Sequence, residues 1–225
     1  MFKYLLLLLF LCSFPFLFSQ KDVKIGTQVW MSRNLDVDTF RNGDRIRQAR
    51  DERQLQYAAS NDTPAWCYYQ FDEENGKRYG KLYNWAAVND PRGIAPIGYH
   101  IPWDFDWDIL IDFLGGDKIA GSKMKSRDAW VFPDCLFCAD WDCRKFRNNP
   151  LSGGGDNSSG LGLLPGGQMA YNGFGGIGCY GVWWSTSMSD DRIARCRTLG
   201  NGEGSILRTE KEVFYHFLSV RCIKD

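Results

Sequence analysis

Residues 98–116 read "GYHIPWDFDWDILIDFLGG" and set Asp104, Asp106, Asp108 and Asp112 among two tryptophans and a run of large apolar side chains. Carboxylates this dense suit a metal site, an acid/base pair or the polar side of a helix. Spacing decides between them. Eight of the twelve residues from Trp103 to Leu114 are apolar. Trp103, Trp107, Leu110 and Leu114 recur at the i, i+4, i+7, i+11 intervals of one helical face. Asp104, Asp108 and Asp112 stack along a second stripe, where like charges cost a few tenths of a kcal/mol per pair. Asp104 and Asp106 fall in the first turn, where the helix dipole favours anions by about 0.3–1 kcal/mol. Gly115-Gly116 is the expected stop. The stretch therefore predicts a strand running into a helix after Pro102, with Asp108 and Asp112 as its solvated stripe.

Outward from this helix, "VKIGTQVWMSRNLDV" alternates Val23, Ile25, Thr27 and Val29 and reads as a strand. "DERQLQYAAS" holds helix formers after an acidic start and predicts a short helix. "AWCYYQF" is strand-like, and Asn75-Gly76 after it reads as a hairpin turn. From Arg127 to Gly176 the glycine content of "SGGGDNSSGLGLLPGG" predicts a long ordered loop. "CYGVWWSTS", "RIARCRTL" and "FYHFLSVRCIKD" read as three closing strands.

The first nineteen residues have the layout of a secretory signal peptide. Lys3 precedes an apolar run from Tyr4 to Phe18, and cleavage is expected between Ser19 and Gln20. The run is shorter than the roughly 20 residues of a membrane span, and Pro15 interrupts it. A lipoprotein anchor at Cys12 is the alternative, with Leu11 a poor match to the small residue such a signal wants. Gln20 to Asp225 is expected to be one exported, extracytoplasmic domain, with no appended anchoring domain after the "VRCIKD" strand. Charge is balanced, 27 Lys plus Arg against 27 Asp plus Glu, so nucleic acid is not an expected partner. Seven of the eight cysteines lie beyond the leader. Export makes disulfides the default, and an odd count leaves at least one thiol free or paired to another molecule. Cys135, Cys138 and Cys143 also permit a zinc reading, which the presence of only two histidines, His100 and His216, weakens.

The segments "IGTQVWMSRNLDV", "YGKLYNWAAVNDPRGIAPIGYHIP", "WDILIDFLGG", "NSSGLGLLPGG", "YGVWWSTS" and "LSVRCIKD" occur in the order seen in the Fibrobacter succinogenes major paralogous domain. The resemblance spans Val23 to Asp225. In a second similarity, "GYHIPWDFDWD" and "NSSGL" resemble signatures of the formylglycine-generating enzyme family. Together they imply an α+β, C-type-lectin-like fold: small twisted antiparallel sheets, about two helices, long ordered loops and paired chain ends. Against the family pattern, Trp103 stands where a Ser or Thr cap usually follows the proline. Ala95 stands where some members carry a cysteine, which leaves Cys67 as the implied partner of Cys222.

Three functional readings follow. The first is a non-catalytic binding module for glycan or another extracellular polymer, with Trp141, Tyr171, Tyr180, Trp183 and Trp184 as candidate stacking faces. Its competitor is a core strand in which Trp183 and Trp184 are alternately buried. The second is a formylglycine-generating-type enzyme, whose reactive pair would have to be Cys179 and Cys196, at a spacing that does not match that family. The third is calcium held by Asp156 and Asn157 with nearby carbonyls, too few ligands for the six to eight calcium takes. The expectation is a binding module without catalysis and without an obligatory cofactor, calcium being the one candidate.

Overall fold

The structure, a computed structural model, describes residues 22–130, 155–202 and 204–225. The leader, Trp141 and the Cys135, Cys138, Cys143 group lie outside those residues.

The chain starts with a hairpin, β1 (Asp22–Ile25) and β2 (Gln28–Met31), closed by Gly26 at φ +60 and Thr27. The Val23–Val29 alternation, read as one strand, thus runs through a two-residue turn that only Gly26 makes comfortable. Next come β3 (Arg47–Gln48), α1 (Glu52–Ser60), β4 (Ala65–Cys67), a 3-10 turn (Tyr69–Phe71), α2 (Glu73–Tyr79), β5 (Leu82–Asn84) and α3 (Trp85–Val88). β6 (Tyr99–His100) leads into α4 (Asp104–Phe113) and α5 (Asp117–Met124). The second half holds β7 (Gly166–Ala170), β8 (Gly173–Ile177), β9 (Tyr180–Asp190), β10 (Ile193–Gly200), β11 (Ile206–Glu212), β12 (Phe217–Leu218) and β13 (Ile223–Lys224).

Two sheets result. The smaller has the order β1-β2-β13-β6, so the last strand lies beside β2 and the two ends of the domain are joined, Ile223 opposite Trp30. The larger has the order β11-β10-β9-β7-β12-β5-β4-β3, with β8 paired to β7. Most pairings are antiparallel, but β3 with β4 and β7 with β9 are parallel. The class is mixed α/β, with five α-helices among the described residues rather than about two.

The α4 helix forms where the apolar spacing places it, burying Trp107, Leu110 and Ile111. Trp103 occupies the capping position with no acceptor on its side chain. Instead the Asp106 carboxylate reaches back to accept the Trp103 backbone N–H at 2.8 Å, half of a capping box. Asn75-Gly76 is not a turn but the middle of α2. A Cβ on Gly76 would stand 2.2 Å from the Tyr68 ring, so the glycine serves close packing rather than chain reversal. Within the expected loop, residues 166–177 form the β7–β8 hairpin. The third closing strand splits between the two sheets as β12 and β13.

β9 divides the interior. Trp183 and Trp184 are both fully buried on its opposite faces, Trp183 in the core with Trp30, Trp107 and Leu161, Trp184 in the core with Tyr83, Trp85 and Cys222. A third cluster, Leu55, Ala58, Cys67, Met169 and Phe217, lies beneath α1.

Candidate functional site

A cavity of about 480 Å³ opens between α1 and the β7–β8 hairpin. Its first wall is the outer face of α1. Asp51 accepts the Gln54 N–H at 2.9 Å and starts the helix. Leu55 and Ala58 turn inward. That leaves Glu52, Gln56, Ala59 and Ser60, at i, i+4, i+7 and i+8, to face the cavity. The side chains of Glu52, Gln56 and Ser60 make no hydrogen bond or ion pair within the described residues.

The second wall is the tip of the hairpin. Ala170 pairs with Gly173, so Tyr171 and Asn172 form a two-residue loop, closed by Gly173 at φ +101. The tight loop pushes Tyr171 outward, where it is 87% exposed. Tyr215, from the segment between β11 and β12, meets it edge-to-face with ring centroids 5.7 Å apart. The floor is Leu55, Met169 and Phe174. Phe174 is itself wedged against Tyr69 and Phe71, at 5.2 and 5.1 Å between centroids. The result is a firm apolar floor, an aromatic rim and a line of carboxylate, amide and hydroxyl groups along one helix. Such a site can stack on an apolar sugar face while hydrogen-bonding its hydroxyls.

Of the stacking candidates among the described residues, Tyr171 is the one brought to this cavity. Tyr180 is half-buried and packs against the Trp184 core. Trp183 and Trp184 are interior residues, and each indole N–H is spent inside, on Asn34 Oδ1 at 2.9 Å and on the Tyr83 carbonyl at 2.8 Å. They have no face to offer a ligand.

Asp156 and Asn157 serve their own loop. Asp156 Oδ1 accepts the Ser158 N–H at 2.8 Å, which lowers its pKa, and Asn157, itself at φ +51, accepts the Gly162 N–H on Oδ1 at 2.9 Å. The implied Cys67–Cys222 bridge is not formed: both thiols are free and lie in different core clusters. Cys196 is also free, and Cys179 is disulfide-bonded. Glu52, Gln56, Ser60 and Tyr215 were not singled out by the sequence. Their one legible signal is the helical spacing of the first three, while Tyr215 reads as part of a strand and joins the site only through the fold.

Asp108 also differs from its reading as a solvated residue. Asp104, which is buried, takes Arg197 at 2.5 Å, Arg208 at 2.9 Å and Arg195 at 3.2 Å. Asp108 takes Arg208 at 2.6 Å and Arg197 at 2.7 Å. Two carboxylates and three guanidiniums thus lock α4 onto β10 and β11.

These features define a mixed α/β domain whose ends are tied in one small sheet and whose open cavity lies between α1 and the β7–β8 hairpin. The chain belongs to the Fibrobacter succinogenes major domain family, which matches residues 23–224. No curated protein and no solved structure matches it. No described helix is long and apolar enough to cross a membrane.

Proposed function

We propose that the chain is an exported, non-catalytic binding module of C-type-lectin-like fold, and that the cavity between α1 and the β7–β8 hairpin takes a saccharide unit of an extracellular polymer. The observation that carries the reading is Tyr171, a large aromatic ring held almost wholly in solvent at a cavity mouth and braced by Tyr215. Joined chain ends support the fold assignment. The cavity lining supports recognition over hydrolysis, because among the described residues it carries one carboxylate, Glu52, where glycoside hydrolysis ordinarily uses two. Burial pushes the Cys196 thiol well up, which disfavours the formylglycine-generating alternative.

A glycan array probed with the full chain, in calcium and in chelator, tests this. Binding to a subset of glycans is expected. Tyr171→Ala should weaken it about tenfold, the equivalent of ~1.4 kcal/mol, and Gln56→Ala should shift selectivity. No binding on the array, or binding that Tyr171→Ala leaves intact, would sink the cavity assignment. Loss of binding in chelator alone would bring calcium back as a ligand.

A further inference from the structure

The cavity between α1 and the β7–β8 hairpin is electrostatically one-sided. Among its described lining residues Glu52 is the one charged side chain, set among the Gln56 and Asn172 amides, the Ser60 hydroxyl and apolar or aromatic groups. Glu52 is exposed and has no ion pair within the described residues. The helix dipole favours an acid in the first turn of α1, which accounts for its place in the helix. It does not account for a cavity that leaves the charge unanswered.

The elements around the cavity leave it so. Residues 166–177, the whole β7–β8 hairpin, contain no charged side chain. Arg53 is one residue further round α1, about 100° away, and is not part of the lining. Arg47 is drawn over the Tyr57 ring at 4.8 Å, and Arg50 Nε donates to Gln48 at 3.0 Å. On the Tyr215 side, Glu210, Lys211 and Glu212 carry one net negative charge. Burial lowers the pKa of His216, which keeps it neutral at pH 7. The aromatic groups act in the same sense. Tyr171, Tyr215 and Phe174 line the cavity, and the faces of such rings are negative and attract a cation within about 6 Å.

We infer that the saccharide this cavity selects carries a free ammonium group, an amino sugar that is not N-acylated, and that Glu52 is the residue that determines this specificity. The inference rests on the saccharide reading of the cavity and names the charge class of that ligand. An ionised carboxylate only accepts hydrogen bonds and an ammonium only donates them. A bond between the two is roughly twice as strong as a neutral one. Gln56 and Ser60 follow about 6 and about 12 Å further along the helix, in place for uncharged hydroxyls. N-acetylation removes the positive charge, and a uronic acid sets a like charge against both Glu52 and the ring faces. A lysine side chain offers the same ammonium, but its methylene stem has no use for the amide and hydroxyl stripe beside it.

Isothermal titration calorimetry of the full chain with three tetramers tests this: β-1,4-glucosamine below the pKa of its amine, its N-acetylated counterpart, and galacturonate. Glucosamine is expected to bind about fivefold more tightly than the N-acetylated tetramer, the range of an exposed ion pair, and galacturonate most weakly. Glu52→Gln should close the gap between the first two, and Glu52→Lys should favour galacturonate, with circular dichroism unchanged in both. An N-acetylated tetramer that binds as tightly as glucosamine, or a preference that survives Glu52→Gln, would overturn the charge class while leaving a saccharide site in place. A tetralysine peptide that binds more tightly than glucosamine would overturn it in favour of a peptide ligand. Binding of none of the tetramers, together with an empty glycan array, would remove the saccharide reading itself.

Discussion

His216 shows how a single residue links the fold to pH. It follows β11, half-buried, with Nδ1 3.0 Å from the Glu212 carbonyl oxygen, in a turn rather than in the strand its apolar neighbours suggest. Burial holds its pKa below the ordinary 6.5, and Lys211 adds to the shift. The unfolded chain therefore takes up a proton in a pH range where the folded chain does not. Stability contributed by neutral His216 is present above the unfolded value and is lost as pH falls through the folded one. His216→Asn, with an amide to replace the ring N–H, is expected to flatten the fall in melting temperature between about pH 7 and about pH 5. An unchanged slope would put the acid sensitivity elsewhere. The cysteines teach a related lesson. Their odd number was legible, but not that Cys67 and Cys222 sit in separate clusters, where burial pushes Cys222 up to about 12 and Cys67 higher still.

At the scale of elements, α4 was readable because its signal is local: apolar spacing, acids in the first turn and a double-glycine stop all lie within one stretch. What surrounds it was not. Arg195, Arg197 and Arg208 lie roughly ninety to a hundred residues further along the chain, so Asp104 read only as a first-turn acid and Asp108 as solvated until β10 and β11 were folded against them. The missing Ser or Thr cap has its answer three residues on, in Asp106. That carboxylate accepts the Trp103 N–H and also lies 3.3 Å from His100 Nε2. Asp106→Ala should cost about 1–2 kcal/mol in urea denaturation, the range of a lost cap. Asp106→Asn keeps an acceptor oxygen and should lose less. Equal losses would mean that the charge toward His100, not the cap, is what matters. Glycines misled for a related reason. Gly26 and Gly76 look alike in sequence, yet one turns the chain and the other admits the Tyr68 ring.

At the scale of the whole molecule, the sheets and cores are held in register by a polar hub built on Asn34 and Arg221. Arg221 is fully buried and donates from Nη1 to the Met31 and Leu161 carbonyls, at 2.9 and 3.1 Å, and from Nε to Asn34 Oδ1 at 3.2 Å. Asn34 in turn donates to the Tyr79 carbonyl and accepts the Trp183 indole N–H. One side chain near the end of the chain therefore gathers β2, the loop at Leu161, the end of α2 and the central strand β9. Among the described residues no carboxylate accompanies it, and burial pushes its pKa down to about 9. Two effects oppose each other when it is removed. Losing a buried cation relieves a desolvation cost. Against this, the Leu161 and Met31 carbonyls lose their guanidinium donor inside the protein, at about 1–3 kcal/mol for each group left unsatisfied. Because several acceptors share one guanidinium, the second effect should win. Arg221→Met is expected to destabilise by about 2–4 kcal/mol, with tryptophan fluorescence and far-UV circular dichroism falling in a single transition because the hub reaches β9 between the two cores. Arg221→Lys should not rescue it, since one ammonium cannot replace the planar fork. A methionine variant as stable as the parent would show instead that desolvation of the cation outweighs the hydrogen bonds it makes.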